Sequence, residues 1–411
     1  MPHHFSDIGL IILLATLAAI FLSRLKQLPM IGYVLAGVII GPAGFALIES
    51  EADIRFIAEI GVILLLFILG MELPLASFKK SYKVAVPATF ALIGLSLALT
   101  FAIGFVIDLS VQEKIVYGFI ISLSSTAVAV KLLANLDLLT KGTGQIAVSI
   151  LIAQDLLFVP MIILTNEMGG EGGISLAFIP KILIACLLLV GLIAYLSRKE
   201  KIHLPFEETV QKHEDLIPVA ALAWCFVGAG LSEAAGLSPA YGAFLAGMII
   251  GNSHSKTVIM PRIEPMQNVM LMVFFLSIGM LIDFQVIADN LFLICALLVA
   301  AMVFKTIACI SLLKLFLPQD RWRCSFVTGL TISQVGEFSF IIAAAALANG
   351  IFDIGSYKVI IAVIALSLAF SPIWMVILQR FVQISYVDKT ATALARAVRL
   401  TFGLKSEGLS R

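Results

Sequence analysis

Ile146-Ala-Val-Ser-Ile-Leu-Ile-Ala-Gln154-Asp155-Leu-Leu-Phe-Val-Pro160-Met-Ile-Ile-Leu164 is long and apolar enough to cross a lipid bilayer, yet it carries an acid near its middle. A spanning helix needs roughly 20 mostly apolar residues. A carboxylate at the centre of such a span costs about 2.5–3.5 kcal/mol even on the milder insertion scales. Asp155 is therefore expected to face protein or a wet cavity rather than lipid, and to have a task there.

Working outward, the rest of the chain has the same character. Of 411 residues, 61% are hydrophobic and 13% charged, and the mean hydropathy is +1.08. A water-soluble domain is about 45–50% apolar and about 25% charged. So much apolar surface needs lipid as its solvent. The net charge of +1 gives no reason to expect nucleic acid. Cys186, Cys225, Cys295, Cys309 and Cys324 form no CxxC pair and lie in or beside apolar runs, where cysteine acts as a small packing residue. The N-terminus Met1-Pro2-His3-His4-Phe5 has no basic region before its apolar run, so a cleaved signal peptide is not expected.

Apolar runs between charged or Gly/Pro-rich breaks predict about thirteen spans, near 7–23, 29–48, 57–76, 84–107, 114–133, 144–165, 177–197, 215–232, 239–251, 264–282, 289–316, 323–348 and 357–379. Loop charge supports that number. With the N-terminus outside, inner loops and tail receive Arg24, Lys26, Lys79, Lys80, Lys83, Lys141, Arg198, Lys199, Lys201, Lys256, Arg262 and the basic C-terminal tail. Outer loops receive Arg55 and Lys114 together with the acidic segments around Glu49–Asp53 and Glu167–Glu171. This follows the positive-inside rule and puts the C-terminus in the cytoplasm.

The chain also repeats itself. Ile31-Gly-Tyr-Val-Leu-Ala-Gly-Val-Ile-Ile-Gly-Pro42 matches Tyr241-Gly-Ala-Phe-Leu-Ala-Gly-Met-Ile-Ile-Gly-Asn252 at seven of twelve positions, at an offset of 210. At offset 209, Phe67-Ile-Leu-Gly70-Met71 meets Leu276-Ser-Ile-Gly279-Met280, and Ser124 meets Ser333. The repeats, about 29–166 and 239–380, begin seven spans apart and so run in opposite orientation. Inverted repeats mark secondary transporters, which bind ions at mid-membrane beside broken helices.

Matched polar clusters interrupt two spans: Ser122-Leu-Ser124-Ser125-Thr126 in the fifth, and Thr331-Ile-Ser333-Gln334-Val-Gly336-Glu337 in the twelfth. Any single Ser or Thr can simply bond back to its own helix. Two clusters at corresponding positions predict paired helix breaks, with freed carbonyls and opposing helix-end partial charges. Asp155, Lys305 and Glu337 are the ionisable residues well inside spans. Lys305 is expected to pair with Asp155 when no cation is bound. Glu337 either compensates helix-end dipoles or contributes to the site. Gln154 points about 100° away from Asp155 around the helix, as a supporting residue. Glu72 is placed at an inner span end. The five histidines fall in loops or the terminus, so no metal site or histidine relay is expected at membrane depth. No nucleophile–base constellation and no cofactor motif is present, so neither an enzyme nor a cofactor is expected. A carboxylate that sheds a proton and then holds a cation can exchange the two.

Gly37 with Gly41-Pro42, Glu59-Ile-Gly61-Val-Ile-Leu-Leu-Leu-Phe67, Leu123-Ser-Ser-Thr-Ala127, Gln154-Asp155 and Ser333-Gln-Val-Gly-Glu-Phe338 together resemble the membrane domain of Kef-type potassium:proton antiporters, of the second monovalent cation:proton antiporter group. The resemblance covers about residues 7–380. It implies thirteen helices of the sodium/proton-antiporter type, with two crossed broken helices, a moving core and a dimerisation part that places the first helix at a homodimer interface. It further implies that Asp155 binds cation or proton in turn, with Thr126, Ser125 and Ser124 beside it, and that Lys305 and Glu337 are the charges at the crossing. Where related electrogenic exchangers have a second aspartate, this chain has Gln154, which implies one cation for one proton. Residues 381–411 form a short basic tail instead of the Rossmann-like regulatory domain of typical relatives; a separate regulatory subunit docking there is one reading. The expectation is an all-α, multi-pass protein of a bacterial inner membrane that exchanges K+, or else Na+, for H+. The alternatives are a sodium-coupled organic-anion symporter of similar fold and a non-transporting membrane scaffold or sensor.

Overall fold

The computed structural model describes residues 5–25, 29–41, 44–45, 51–73, 75–139, 141–169, 178–199, 201–205, 213, 215–280, 282, 284–316, 322–370 and 374. The tail 381–411, Pro42, the glycine-rich segment 170–173 and the end of the last predicted span lie outside the described residues. The helices in chain order are α1 (Phe5–Arg24), α2 (Pro29–Ile40), α3 (Glu51–Glu72), α4 (Leu75–Ile103), α5 (Val111–Ser122), α6 (Thr126–Asn135), α7 (Gly142–Met168), α8 (Phe178–Leu196), α9 (Leu216–Ala234), α10 (Pro239–Gly251), α11 (Lys256–Met280), α12 (Phe284–Asp289), α13 (Leu291–Phe316), α14 (Trp322–Thr331), α15 (Phe338–Ala348) and α16 (Ile354–Ala369). Among the described residues these sixteen account for the thirteen predicted spans: α5/α6 and α14/α15 are each one span in two halves, and α12 is a short extra piece. Among the described residues, five helices are long and apolar enough to cross a membrane, and seven more are shorter apolar helices.

The helix of Asp155 is the most enclosed of the long ones. In its most apolar stretch α7 is 83% buried, against 28–39% for the other four long apolar helices. Those four present faces to the surroundings, whereas α7 is apolar all round and sits in the core. Its neighbours are α4, α5, α6, α8, α14 and α15.

The sequence repeat reappears as packing. Gly37 of α2 meets Gly279 of α11, and Gly247 of α10 lies against Phe67 while Gly70 of α3 lies against Phe244 and Met248. A Cβ at any of these four glycines would run into the partner helix's backbone. Gly37 aligns with Gly247, and Gly70 with Gly279, so the repeated glycines pair crosswise between halves. Small residues that let backbones touch are how helices associate where lipid supplies no hydrophobic drive. α2, predicted to run to residue 48, ends at Ile40; its repeat partner α10 is similarly short.

The ends of the elements are capped locally. Ser110 and Glu113 form a capping box that starts α5. Asp353 caps α16 by accepting from the Ser356 and Gly355 N–H groups.

Candidate functional site

The two interrupted spans break where their polar clusters predict. α5 stops at Ser122 and α6 starts at Thr126; α14 stops at Thr331 and α15 starts at Phe338. The unwound segments cross and join by an antiparallel bridge between Ser124 and Val335. The Gly336 N–H donates to the Leu123 carbonyl at 3.2 Å. Ser124 Oγ donates to the Ile332 carbonyl at 2.7 Å, and Ser339 Oγ to the Ile120 carbonyl at 3.1 Å. The Val335 N–H is taken by Ser367 Oγ at 2.9 Å. Glycine is required at 336, because an added Cβ would stand 2.6 Å from the Ser124 carbonyl oxygen. Thus the hydroxyls replace the ladder bonds that unwinding removes.

Four half-helix ends meet at this crossing, each carrying about half a unit of charge. The C-terminal ends of α5 and α14 are negative, and Lys305 serves them. Its side chain, 0% exposed, donates from Nζ to the Leu123 carbonyl at 2.6 Å and the Gln334 carbonyl at 2.7 Å. This corrects the expected Lys305–Asp155 pair: among the described residues no ion pair joins them. Two carbonyls freed by unwinding outcompete the carboxylate because they lie within reach and leave the ammonium desolvated but bonded. Gln154 also turns to this end, donating from Nε2 to the Ser122 carbonyl at 2.8 Å. It is not part of the cavity lining around Asp155. Ser333 bonds back to the Leu330 carbonyl at 2.9 Å, and the buried Gln334 side chain has no hydrogen-bond partner among the described residues.

The N-terminal ends of α6 and α15 are positive, and carboxylates serve them. Glu337 lies at the start of α15 and is hydrogen-bonded to the Ser125 hydroxyl and the Ala127 N–H in the first turn of α6. Ser125 itself caps α6 by accepting from the Val128 N–H at 3.4 Å. Asp155 is 2% exposed and accepts from Thr126 Oγ1 at 3.0 Å through Oδ2, while Oδ1 has no partner among the described residues. So the structure brings Asp155 to Thr126 and to the helix breaks, away from lipid. Ser124 and Ser125 instead hold the crossing together.

Asp155, Thr126 and Glu337 line one cavity of about 460 Å³. Its walls are Met30, Leu65, Leu69, Ala127, Val130, Leu271, Phe274, Phe275 and Phe338, joined by the polar Glu72, Lys131 and Gln267. Glu72, the last residue of α3, is exposed, so the cavity reaches the surface at that end. An otherwise apolar funnel thus leads to a carboxylate with a free oxygen. Sequence reasoning placed Glu72 at an inner span end without linking it to Asp155. It passed over Gln267, whose one local sign is the polar pair Gln267-Asn268 within an apolar span.

Comparison with known proteins agrees with this architecture. The sequence profile of the family described as "Sodium/hydrogen exchanger, transmembrane" matches residues 10–380. The Iron transporter MagA of Paramagnetospirillum magneticum is 37% identical over 383 residues, covering 92% of this chain and 86% of that protein. K(+) efflux antiporter 5 of Arabidopsis thaliana is 31% identical, covering 90% of this chain and 65% of its own length. The Glutathione-regulated potassium-efflux system protein KefC of Klebsiella pneumoniae is 31% identical, covering 91% and 59%. The chain therefore spans less than two thirds of these last two. In fold it is similar to the sodium proton antiporter MjNhaP1 of Methanocaldococcus jannaschii, with a TM-score of 0.69 at 17% identity over 90% of this chain and 96% of that one. The chain belongs to the transmembrane sodium/hydrogen exchanger family, a family of cation:proton antiporters.

Proposed function

We propose that this chain exchanges a monovalent cation, potassium before sodium, for a proton by alternating access, with Asp155 as the group that carries one or the other. The reading rests on the Asp155 carboxylate, buried in the core of the fold with one oxygen tied to Thr126 and the other free at a cavity that reaches the surface. A cation there gains a carboxylate and a hydroxyl as hard oxygen ligands; a proton neutralises the same oxygen. Holding both is unfavourable, which couples the two fluxes.

Lys305 strengthens the coupling. Because its Nζ is committed to the Leu123 and Gln334 carbonyls, Lys305 does not neutralise an empty, ionised Asp155. Moving that uncompensated charge past an apolar barrier is costly, so only the loaded forms cross. With Lys305 held as a fixed charge, one cation exchanges for one proton. Potassium is favoured by likeness to the two potassium-efflux relatives. The relative named an iron transporter puts ferrous ion in the test panel, but among the described residues the cavity lining has no imidazole or thiol, and its oxygen donors suit a hard cation.

By loop charge the cavity opens on the cytoplasmic side of a bacterial inner membrane, with the N-terminus outside, making this an inward-facing state. A homodimer through α1, whose Leu13, Leu17 and Phe21 are exposed, completes the reading. The basic tail is where a regulatory subunit would dock. No covalent chemistry is proposed.

The test is proton movement in vesicles with a pH-sensitive dye, on adding K+, Na+, Li+ or Fe2+. Potassium-driven movement in wild type that falls to background in Asp155→Asn is expected. Movement that survives in Asp155→Asn, or is absent with every cation, overturns the proposal.

A further inference from the structure

Asp155 is not the only acid in the cavity with an oxygen to spare. Three consecutive residues at the start of α6 hold two carboxylates. Thr126 donates to Asp155 at 3.0 Å, while Ser125 and Ala127 hydrogen-bond Glu337. Each acid then keeps one buried oxygen without a partner among the described residues, Oδ1 on Asp155 and Oε2 on Glu337. Both side chains line the same cavity.

Compensating the positive end of α6 explains the bonds Glu337 makes to Ser125 and Ala127. It does not explain a second oxygen kept dry and unbonded at the cavity that serves Asp155, since buried polar atoms are nearly always satisfied. The geometry points to Glu337 as a second carboxylate ligand of the transported cation, sharing the load with Asp155. This rests on the exchange reading above and adds a residue to its site.

The arrangement has a clear division of labour. Asp155 alternates between cation and proton. Glu337 is anchored at a helix end and adds oxygen and negative charge, replacing part of the hydration shell that a monovalent ion gives up on entry. One short segment, Ser125-Thr126-Ala127, positions both acids, so any shift of α6 moves them together. Cation affinity and the alternation of access are thereby set by the same half-helix.

The experiment compares wild type, Glu337→Gln and Glu337→Asp in vesicles, with K+ and Na+ as probes, measuring KM and maximal rate beside apparent melting temperature with and without cation. Glu337→Gln is expected to raise the cation KM about tenfold, more than it lowers the maximal rate, and to shrink the rise in melting temperature that added cation produces in wild type. Glu337→Asp, which keeps the charge but draws the carboxylate back by one methylene, should raise KM about two- to fivefold, less than Glu337→Gln. A KM within about twofold of wild type in Glu337→Gln, with a melting temperature lowered equally with and without cation, would show a purely structural acid and overturn the inference. If Glu337→Gln does not fold, Glu337→Asp decides: an unchanged KM overturns the inference and a raised one supports it. Absence of exchange in wild type would sink the exchange reading itself; exchange in wild type with KM indifferent to Glu337 would sink only this step.

Discussion

The two poles of the helix crossing are built on opposite principles. At the negative pole, where α5 and α14 end, the Lys305 ammonium is buried but bonded to two carbonyls, and Gln154 caps a third. At the positive pole, where α6 and α15 begin, Asp155 is buried and Glu337 half-buried, yet among the described residues each keeps one buried oxygen without a partner, and both residues line the cavity. A satisfied buried charge fastens a structure; an unsatisfied one beside a cavity waits for a ligand. The same fold thus separates scaffold from site across a few residues of unwound chain.

The largest test of that contrast pairs Asp155→Asn with Lys305→Met. Removing the lysine leaves the Leu123 and Gln334 carbonyls without their charged donor, at about 1.5–3 kcal/mol for each bond. Lys305→Met should therefore melt well below wild type in detergent. Asp155→Asn should melt close to wild type while losing exchange. A stable Lys305→Met would break the contrast, because the lysine would then not be the fastener.

A smaller effect is expected at Thr126, whose hydroxyl is the bonded partner of Asp155. Thr126→Val keeps the shape and deletes one hydrogen bond to a charged group, worth about 1.5–3 kcal/mol. The expected outcome is a cation KM raised by roughly ten- to a hundredfold with little change in melting, at 1.4 kcal/mol per tenfold. An unchanged KM would mean that Oδ2 needs no anchor.

The smallest effect lies far from the crossing. Asp353 caps α16, and hydrogen bonds from the Ser356 side chain and backbone hold its carboxyl below the ordinary carboxylate range. A depressed folded-state value means that the cap contributes fully above the ordinary range and is lost as pH falls through the lowered value. Asp353→Ala should cost about 1 kcal/mol near neutral pH, typical of an N-cap. The gap between variant and wild type should close in acid. A gap that widens in acid would reverse the sign and rule out the cap as its source.

Hydropathy and interruption are local signals, and they carried most of the fold. An apolar run of spanning length must be a helix whatever surrounds it, because lipid satisfies no backbone group. Polar clusters at matched repeat positions, Ser122–Thr126 and Thr331–Glu337, marked the breaks for the same reason. The glycines Gly37, Gly70, Gly247 and Gly279 were visible as a repeat, although their crosswise pairing was not.

Directions and partners were not legible. Lys305 and Asp155 have opposite charges at similar depth, and charge alone suggested a pair; which carbonyls the helix breaks would free is decided by how the two spans cross. Gln154 and Asp155 are adjacent in sequence but serve opposite poles, since neighbours on a helix diverge by about 100°. Glu72, Lys131 and Gln267 come from three helices and meet only because α3, α6 and α11 pack around one cavity. By itself the chain determined that it lives in lipid, where it breaks and which ionisable residues fall inside its spans, because burial in hydrocarbon penalises each residue one at a time. Only the tertiary structure decided which charges are satisfied and which stay open, because a hydrogen bond needs a partner brought from elsewhere in the chain.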